Sequence, residues 1–225
     1  YDHLVLATGS GSTFFGHDEW RTFAPPMKIL EHAEEIRRRL LMAMEQAEQT
    51  PDPDARQFLQ TVVIVGAGPS GCEMAGAVSE LMQWALKNAF KQLDPKKTRI
   101  VLVDPGDRVL KAMPEMLSEA ALRSLKNDGI EFLAKGRVQT MRPGELIVGT
   151  ANGDVCIQAA TVIWTAGVRA SHLGKKLAEA TGCEVDRGGR VIVQHDFSIP
   201  DHPEIRVAGD LSSYGHTTDG KPLPG

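Results

Sequence analysis

No two cysteines of this chain lie close enough in sequence to act as a unit. Cys72, Cys156 and Cys183 form no CxxC or CxxxxC spacing, which argues against a disulfide framework, a zinc site or a redox-active dithiol and fits a reducing compartment. A basic excess is also missing: 25 Lys and Arg against 29 Asp and Glu leave a net charge of −4, so composition offers no face for nucleic acid or anionic lipid. Long apolar runs are absent, and stretches such as 61–65 and 100–103 are far too short to span a bilayer. His3, His17, His32, His172, His195, His202 and His216 are scattered without metal-ligand spacing, and no Ser/His/Asp arrangement stands out. Aromatic content is only 5 %. What remains, 42 % hydrophobic and 24 % charged residues over 225 positions, describes an ordinary soluble globular chain of one large or two small domains. The chain opens without Met inside an apparent strand ("YDHLVLATGS"), shows no signal-peptide pattern in its first residues, and stops inside an apparent loop ("GKPLPG"). Both ends look cut, so a longer parent polypeptide is expected.

Along the chain, residues 2–10 read as a strand ending in a small-residue turn, followed by a loop up to Pro25 and Pro26. Apolar residues at 29, 33, 36, 40, 44 and 47, with Glu34/Arg38 and Glu35/Arg39 on the polar side, predict a long half-exposed helix. "TPDPDAR" (50–56) breaks it. From Thr61 the pattern is strand, glycine-rich turn, helix, strand. The helix face is drawn by Met74, Val78, Leu81, Met82 and Ala85, "LDPKK" ends it, and 98–104 is a short strand of the kind buried in parallel sheets. A helix over about 115–127 ends at Gly129. Four short strands follow, with a hairpin signal at Asn152-Gly153. Another buried strand covers 161–167. Beyond Ser171 come a short helix, a hairpin around "DRGGR" and a last strand over 204–210.

The stretch "TVVIVGAGPSGCEMAGAVSE" (61–80) carries the first chemistry. Gly66 allows a tight turn, Gly68 lets backbone approach a pyrophosphate, and Gly71 lets the helix pack on the strand. Around them Ala67, Pro69 and Ser70 complete the loop, and a helix starting near Ser70 aims free N–H groups at phosphate. A lone GxGxxG says little, but here a buried strand precedes it, an amphipathic helix follows, and the next strand ends in Asp104. That acid lies further from Gly71 than the usual gap of about 20 residues, because the helix and the "LDPKK" loop are long. It can accept both ribose hydroxyls of NAD and would repel the 2′-phosphate of NADP; Arg108 is the one nearby feature that would favour NADP. The plain alternative for Asp104 is a solvated strand-end acid. Glu73, placed in the first helical turn, suits the helix dipole, or else projects toward a nicotinamide. Cys72 stands where a helix N-terminus can lower a thiol pKa, though a small packing residue explains it as well.

Three strands finish in small residues, "LATGS", "WTAG" and "VAGD". Ligands of doubly wound sheets lie beyond such carboxyl ends, so three of them suggest a second cofactor, with Asp210 able to take a sugar or ribityl hydroxyl. Taken together, "APPMKILEHAEEIRRRL", "GPSGCEMAG", "LVDPGDRVL", "WTAGVRAS", "VDRGGRVIV" and "VAGD" resemble the type II NADH:quinone oxidoreductases over nearly the whole chain.

The resemblance implies an α/β flavoprotein of the two-dinucleotide-binding-domain, Rossmann-like fold, with an NADH domain inserted in a partial FAD domain. Residues 1–20 and 169–225 would be FAD-domain segments, 21–60 a helical connection and 61–168 the NADH domain. Ala7, Thr8 and Gly9 would approach FAD, with Gly209 and Asp210 as the closing FAD motif. Gly66, Ala67, Gly68, Pro69, Ser70, Gly71 and Asp104 would hold NADH. Glu73, Ala166 and Gly167 would surround the nicotinamide, with Glu73 the residue closest to catalysis. Hydride would pass from nicotinamide C4 to flavin N5 and two electrons on to a quinone, with no metal and no nucleic acid involved. The implied whole protein is peripheral on the cytoplasmic side of a membrane, a possible homodimer, with membrane-docking segments, a quinone-side glutamine motif and a first FAD GxGxxG outside these residues. Ala67 departs from relatives with glycine there. Rivals are a related NAD(P)H-dependent flavoprotein reductase with another acceptor, and a nucleotide-binding module without flavin.

Overall fold

The computed structural model describes residues 2–215; His216 and the "GKPLPG" stretch lie outside them. Two units emerge, a flanking unit made of Tyr1–Thr13 and Gly167–Gly225, and an inserted unit, Phe14–Ala166. The flanking unit opens with strands β1 (Leu4–Leu6) and β2 (Ser10–Ser12). The inserted unit then runs through helices α1 (Leu30–Gln49) and α2 (Pro53–Leu59), strand β3 (Thr61–Val65), helix α3 (Pro69–Asn88) and strand β4 (Arg99–Asp104). Helix α4 (Glu115–Asn127) and strands β5 (Ile130–Ala134), β6 (Arg137–Arg142), β7 (Glu145–Thr150), β8 (Gly153–Gln158) and β9 (Thr161–Trp164) complete it. The flanking unit resumes with β10 (Val168–Ala170), α5 (His172–Thr181), β11 (Val191–Ile192), β12 (Ser198–Ile199), β13 (His202–Val207) and β14 (Ser212–Ser213).

In the inserted unit the strands order as β5-β4-β3-β9, all parallel. Every residue of β3 and β9 is buried, which is why these strands read as unbroken apolar runs rather than alternations. The pleat divides them between two cores. Val62 and Ile64 face α1, α3 and α4, packing with Leu40, Met44, Val78 and Met82. Val63 and Val65 face the antiparallel β6-β7-β8 sheet through Leu146, Val148 and Ile157. The β7–β8 hairpin forms at the signal, with Thr150 paired to Gly153 and Gly153 at φ +110°. Gly129, at φ +78°, follows the end of α4 as expected.

Three local expectations need correction. The segment read as a mere helix break contains α2: Asp52 accepts the Asp54 N–H at 3.0 Å and Pro53 takes the first helical turn, so "DPD" is a helix start as well as a stop. Residues 14–60, of which 21–60 were set apart as a connection, sit in the same unit as 61–166. Arg38 turns to Glu35 rather than Glu34, so one carboxylate holds both Arg38 (2.8 Å) and Arg39 (2.6 Å).

The flanking unit is built on β1 paired in parallel with β13, with β12 antiparallel on the far side of β13. Its core gathers Leu177, Val191, Ile199, Ile205, Val207 and Leu211. Ser171 caps α5 by accepting the Leu173 N–H at 3.4 Å, and Gly182 ends it at φ +77°. The "DRGGR" turn is tied by Asp186, which accepts the Gly188 and Arg190 N–H groups and pairs with the Arg190 guanidinium at 2.8 Å.

The Arg38 hydrogen bond, then that of Arg39, holds the Glu35 carboxyl at about 2, against an ordinary 4.5. The folded value lies below the unfolded one, so the contribution is whole above about 4.5 and is lost as pH falls toward about 2. Glu35→Gln is expected to lower unfolding free energy by about 0.5 kcal/mol at neutral pH, the scale of solvent-screened pairs. Denaturant titrations across pH should show that gap closing below 4.5.

Candidate functional site

Strand order reverses between β3 and β9, the place where parallel α/β sheets bind ligands beyond their carboxyl ends. The glycine turn stands there. Gly66 leaves β3 at φ +110°; a Cβ on it would lie 2.8 Å from the Ala166 nitrogen and 2.9 Å from Thr165 Oγ1. A Cβ on Gly71 would lie 1.8 Å from the Gly66 carbonyl oxygen, so nothing larger than hydrogen fits where α3 rests on the turn. Gly68 is different: a Cβ there meets nothing within 4 Å. The back of the turn is closed and its front is open, a cradle shaped for a group that approaches backbone.

Gly68 is the N-cap of α3 and gives it no side-chain cap, Pro69 opens the first turn, and that turn holds no acid. Ser70 and Gly71 therefore keep helix N–H groups available to an anion, in the positive field of the helix end. Glu73, expected in the first turn, is in fact the fifth helical residue and is exposed; the physical reason is that the helix begins at Pro69, one residue early, and capping no longer accounts for it.

Asp104 ends β4 half-buried and engaged. Its Oδ2 accepts the Ala67 N–H at 2.7 Å and its Oδ1 accepts the Gly106 N–H at 2.7 Å. A carboxylate has about four acceptor positions, so capacity remains for hydroxyl donors. Arg108 is spent on its own loop, donating to the Met113 and Lys111 carbonyls. Cys72 donates to the Ala67 carbonyl at 3.5 Å, and burial, then the charge of Asp104, pushes its thiol up to about 11. It is a protonated packing residue; the helix end does not activate it.

In the flanking unit, Ala7, Thr8 and Gly9 follow β1, and Gly209 and Asp210 follow its parallel neighbour β13. Gly9 and Gly209 both take positive φ, +63° and +68°, so both strand ends turn sharply at small residues. Ser10 Oγ donates to Asp210 Oδ2 at 2.7 Å, joining the two ends. A cavity of about 470 Å³ beside them is lined by Val168, Ala170, Asp186, Arg190 and Asp210, among others. Ala166 closes the inserted unit, and Gly167, at φ +70°, opens the second segment of the flanking unit. The expected residues thus fall into two groups, one at the switch point of the inserted unit and one at the β1 and β13 ends. Ser10 and Thr165 were not expected; their partners stand 200 and about 100 positions away in sequence, where no local pattern reaches. Among the described residues no group of three His, Cys, Asp or Glu is placed to hold a metal ion, and no helix is long and apolar enough to cross a membrane.

The chain is 42 % identical over 214 residues to the type II NADH:quinone oxidoreductase Ndh of Mycobacterium tuberculosis, covering 95 % of this chain and 46 % of that protein. To NdhA of the same organism it is 41 % identical, covering 94 % and 45 %. The chain spans about half the length of these curated relatives. The structure of NDH2 from Plasmodium falciparum in complex with NADH superposes with a TM-score of 0.85 at 19 % identity, covering 96 % of this chain and 44 % of that one, a likeness of fold. These matches bear out the resemblance to type II NADH:quinone oxidoreductases and the α/β two-dinucleotide-binding architecture. A family model described as pyridine nucleotide-disulphide oxidoreductase matches residues 1–221, and the chain belongs to that family.

Proposed function

We propose that this chain is the NADH-binding domain, with adjoining FAD-domain segments, of a type II NADH:quinone oxidoreductase. The observation that carries the proposal is the turn closed behind Gly66 and Gly71 and open in front of Gly68, at the strand-order switch of a parallel sheet. In this reading the Ser70 and Gly71 N–H groups bind the pyrophosphate of NADH, and the outward acceptor positions of Asp104 take ribose hydroxyls. The same carboxylate disfavours a 2′-phosphate, so NADH is preferred over NADPH. Ala166 and Gly167 are small enough to let a flat ring come near, and Glu73 faces the nicotinamide end. Ala7, Thr8, Gly9, Gly209 and Asp210 hold FAD, with Ser10 fixing the Asp210 carboxylate. When bound, the two cofactors supply the chemistry, hydride from NADH to FAD and electrons onward to a quinone; the chain contributes binding, orientation and exclusion of water. In the same reading the whole protein works peripherally at the cytoplasmic face of a membrane.

The decisive experiment is NADH oxidation by a quinone with the purified full-length protein, monitored together with its flavin absorbance. A yellow protein that reduces quinone is expected. A colourless protein that binds NADH without oxidising it overturns the enzyme reading in favour of a binding module. Gly71→Ala should lower kcat/KM on the order of 100-fold, because the added carbon displaces the turn and a shift of about 1 Å carries a penalty of that size. Glu73→Gln removes a negative charge beside a nicotinamide that gains positive charge as hydride leaves, and should slow hydride transfer about ten-fold, about 1.4 kcal/mol, in a stopped-flow measurement while leaving NADH affinity within two-fold. An unchanged transfer rate makes Glu73 a surface residue.

A further inference from the structure

Gly66 must be glycine for lack of space, yet glycine is the residue whose flanking peptides rotate most freely. The peptide that follows it is held at both ends by side chains from the neighbouring strands. Its carbonyl oxygen, that of Gly66, lies 3.0 Å from the hydroxyl of Thr165, the residue that follows β9. Its N–H, that of Ala67, donates to Asp104 at the end of β4, at 2.7 Å. The Thr165 hydroxyl also lies 2.9 Å from the Val65 carbonyl, but that oxygen already accepts the Thr165 backbone N–H at 2.9 Å. One hydroxyl carries one proton, and Gly66 is where it adds a bond rather than doubling one.

The next peptide is fixed from behind. The Ala67 carbonyl accepts the Leu110 N–H at 2.8 Å and the Cys72 thiol at 3.5 Å. In a planar trans peptide the N–H points opposite to the carbonyl, so anchoring the Ala67 carbonyl at the back directs the Gly68 N–H away from it, to the side where the turn is open. We propose that Thr165 is a positioning residue: together with Asp104 it locks the Gly66–Ala67 peptide, so that the turn presents its N–H donors in pyrophosphate-binding orientation before any dinucleotide arrives. Asp104 then has two tasks, one toward the loop and one toward the ribose. Thr165 has only the first, and it touches no ligand.

This inference rests on the glycine turn being the NADH site. Because the lock acts on donors to the pyrophosphate, which NADH, NADPH and ADP-ribose share, its loss weakens all three alike and leaves the chemical step intact. Thr165→Val keeps the shape and removes the proton; Thr165→Ser keeps the proton and removes the methyl. Binding of NADH, NADPH and ADP-ribose to the full chain by fluorescence titration or calorimetry is expected to weaken about five-fold in Thr165→Val, the scale of one net hydrogen bond. Thr165→Ser should stay within two-fold of the wild type, KM for NADH should rise with Kd, and kcat should not change. Should the valine variant fail to fold, the Thr165→Ser and Thr165→Ala pair isolates the hydroxyl by the same readings. Equal affinities with and without the hydroxyl overturn the lock, as does a loss confined to NADH or a loss shared by the serine variant. A wild-type chain that binds none of the three overturns the reading of the site itself and takes the lock with it.

Discussion

The Gly66 carbonyl oxygen occupies the space that a side chain on Gly71 would need, 1.8 Å from its Cβ position. Everything else at the switch point depends on that contact. It seats the first turn of α3 directly on the end of β3, so the free N–H groups of the helix start where the strand stops. Any residue with a Cβ at 71 would lift the helix and move those donors away from the turn. The surrounding side chains make sense as consequences: with two glycines forced by space, rigidity has to be supplied from outside, and Asp104 and Thr165 reach in from β4 and β9 to supply it.

The same contact explains what local pattern revealed and what it did not. β3, β4 and β9 were legible because a strand buried on both faces must be apolar throughout, and the glycine spacing marked the turn after β3. The β7–β8 hairpin was legible because Asn152-Gly153 meets a backbone requirement at one point, Gly153 at φ +110°. By contrast, the sequence of β5 does not say that it joins the parallel sheet while β6, β7 and β8 form a sheet of their own. That choice is made by pairing Ile130–Ala134 with β4, the preceding strand, across the α4 crossover. Asp104 was found as an acid at a strand end, but its bond to Ala67 spans 37 positions, and so its second task was invisible.

Cys72 shows how a correct motif can suggest the wrong chemistry. A thiol at the start of a helix is a candidate for activation, since the dipole favours thiolate. Here the side chain turns back under the loop, where burial and the neighbouring Asp104 charge both oppose ionisation and push it to about 11. The helix field is aimed at the open front of the turn; the thiol sits behind it. Position along the helix was right, and direction decided the outcome.

The segment ahead of β3 matters to the site for a mechanical reason. Thr165 can hold the Gly66 carbonyl only if the end of β9 is itself fixed, and β9 is an edge of the four-stranded sheet. Residues 25–27 close that edge: the Trp164 N–H donates to the Pro25 carbonyl at 3.0 Å and the Met27 N–H donates to the Trp164 carbonyl at 3.2 Å. The Trp164 ring is packed between Phe14, stacked at 4.9 Å, and Trp20, edge-on at 5.7 Å. Thus residues 14–27, within a stretch that sequence presents as a loop, clamp the residue immediately before Thr165 through both its backbone and its ring. α1 then continues from this clamp and lays Leu40 and Met44 on the helical face of the same sheet. A chain in which this stretch were only a linker would leave β9 free to fray at its carboxyl end, and the hydroxyl that fixes the glycine turn would have no fixed position from which to do so.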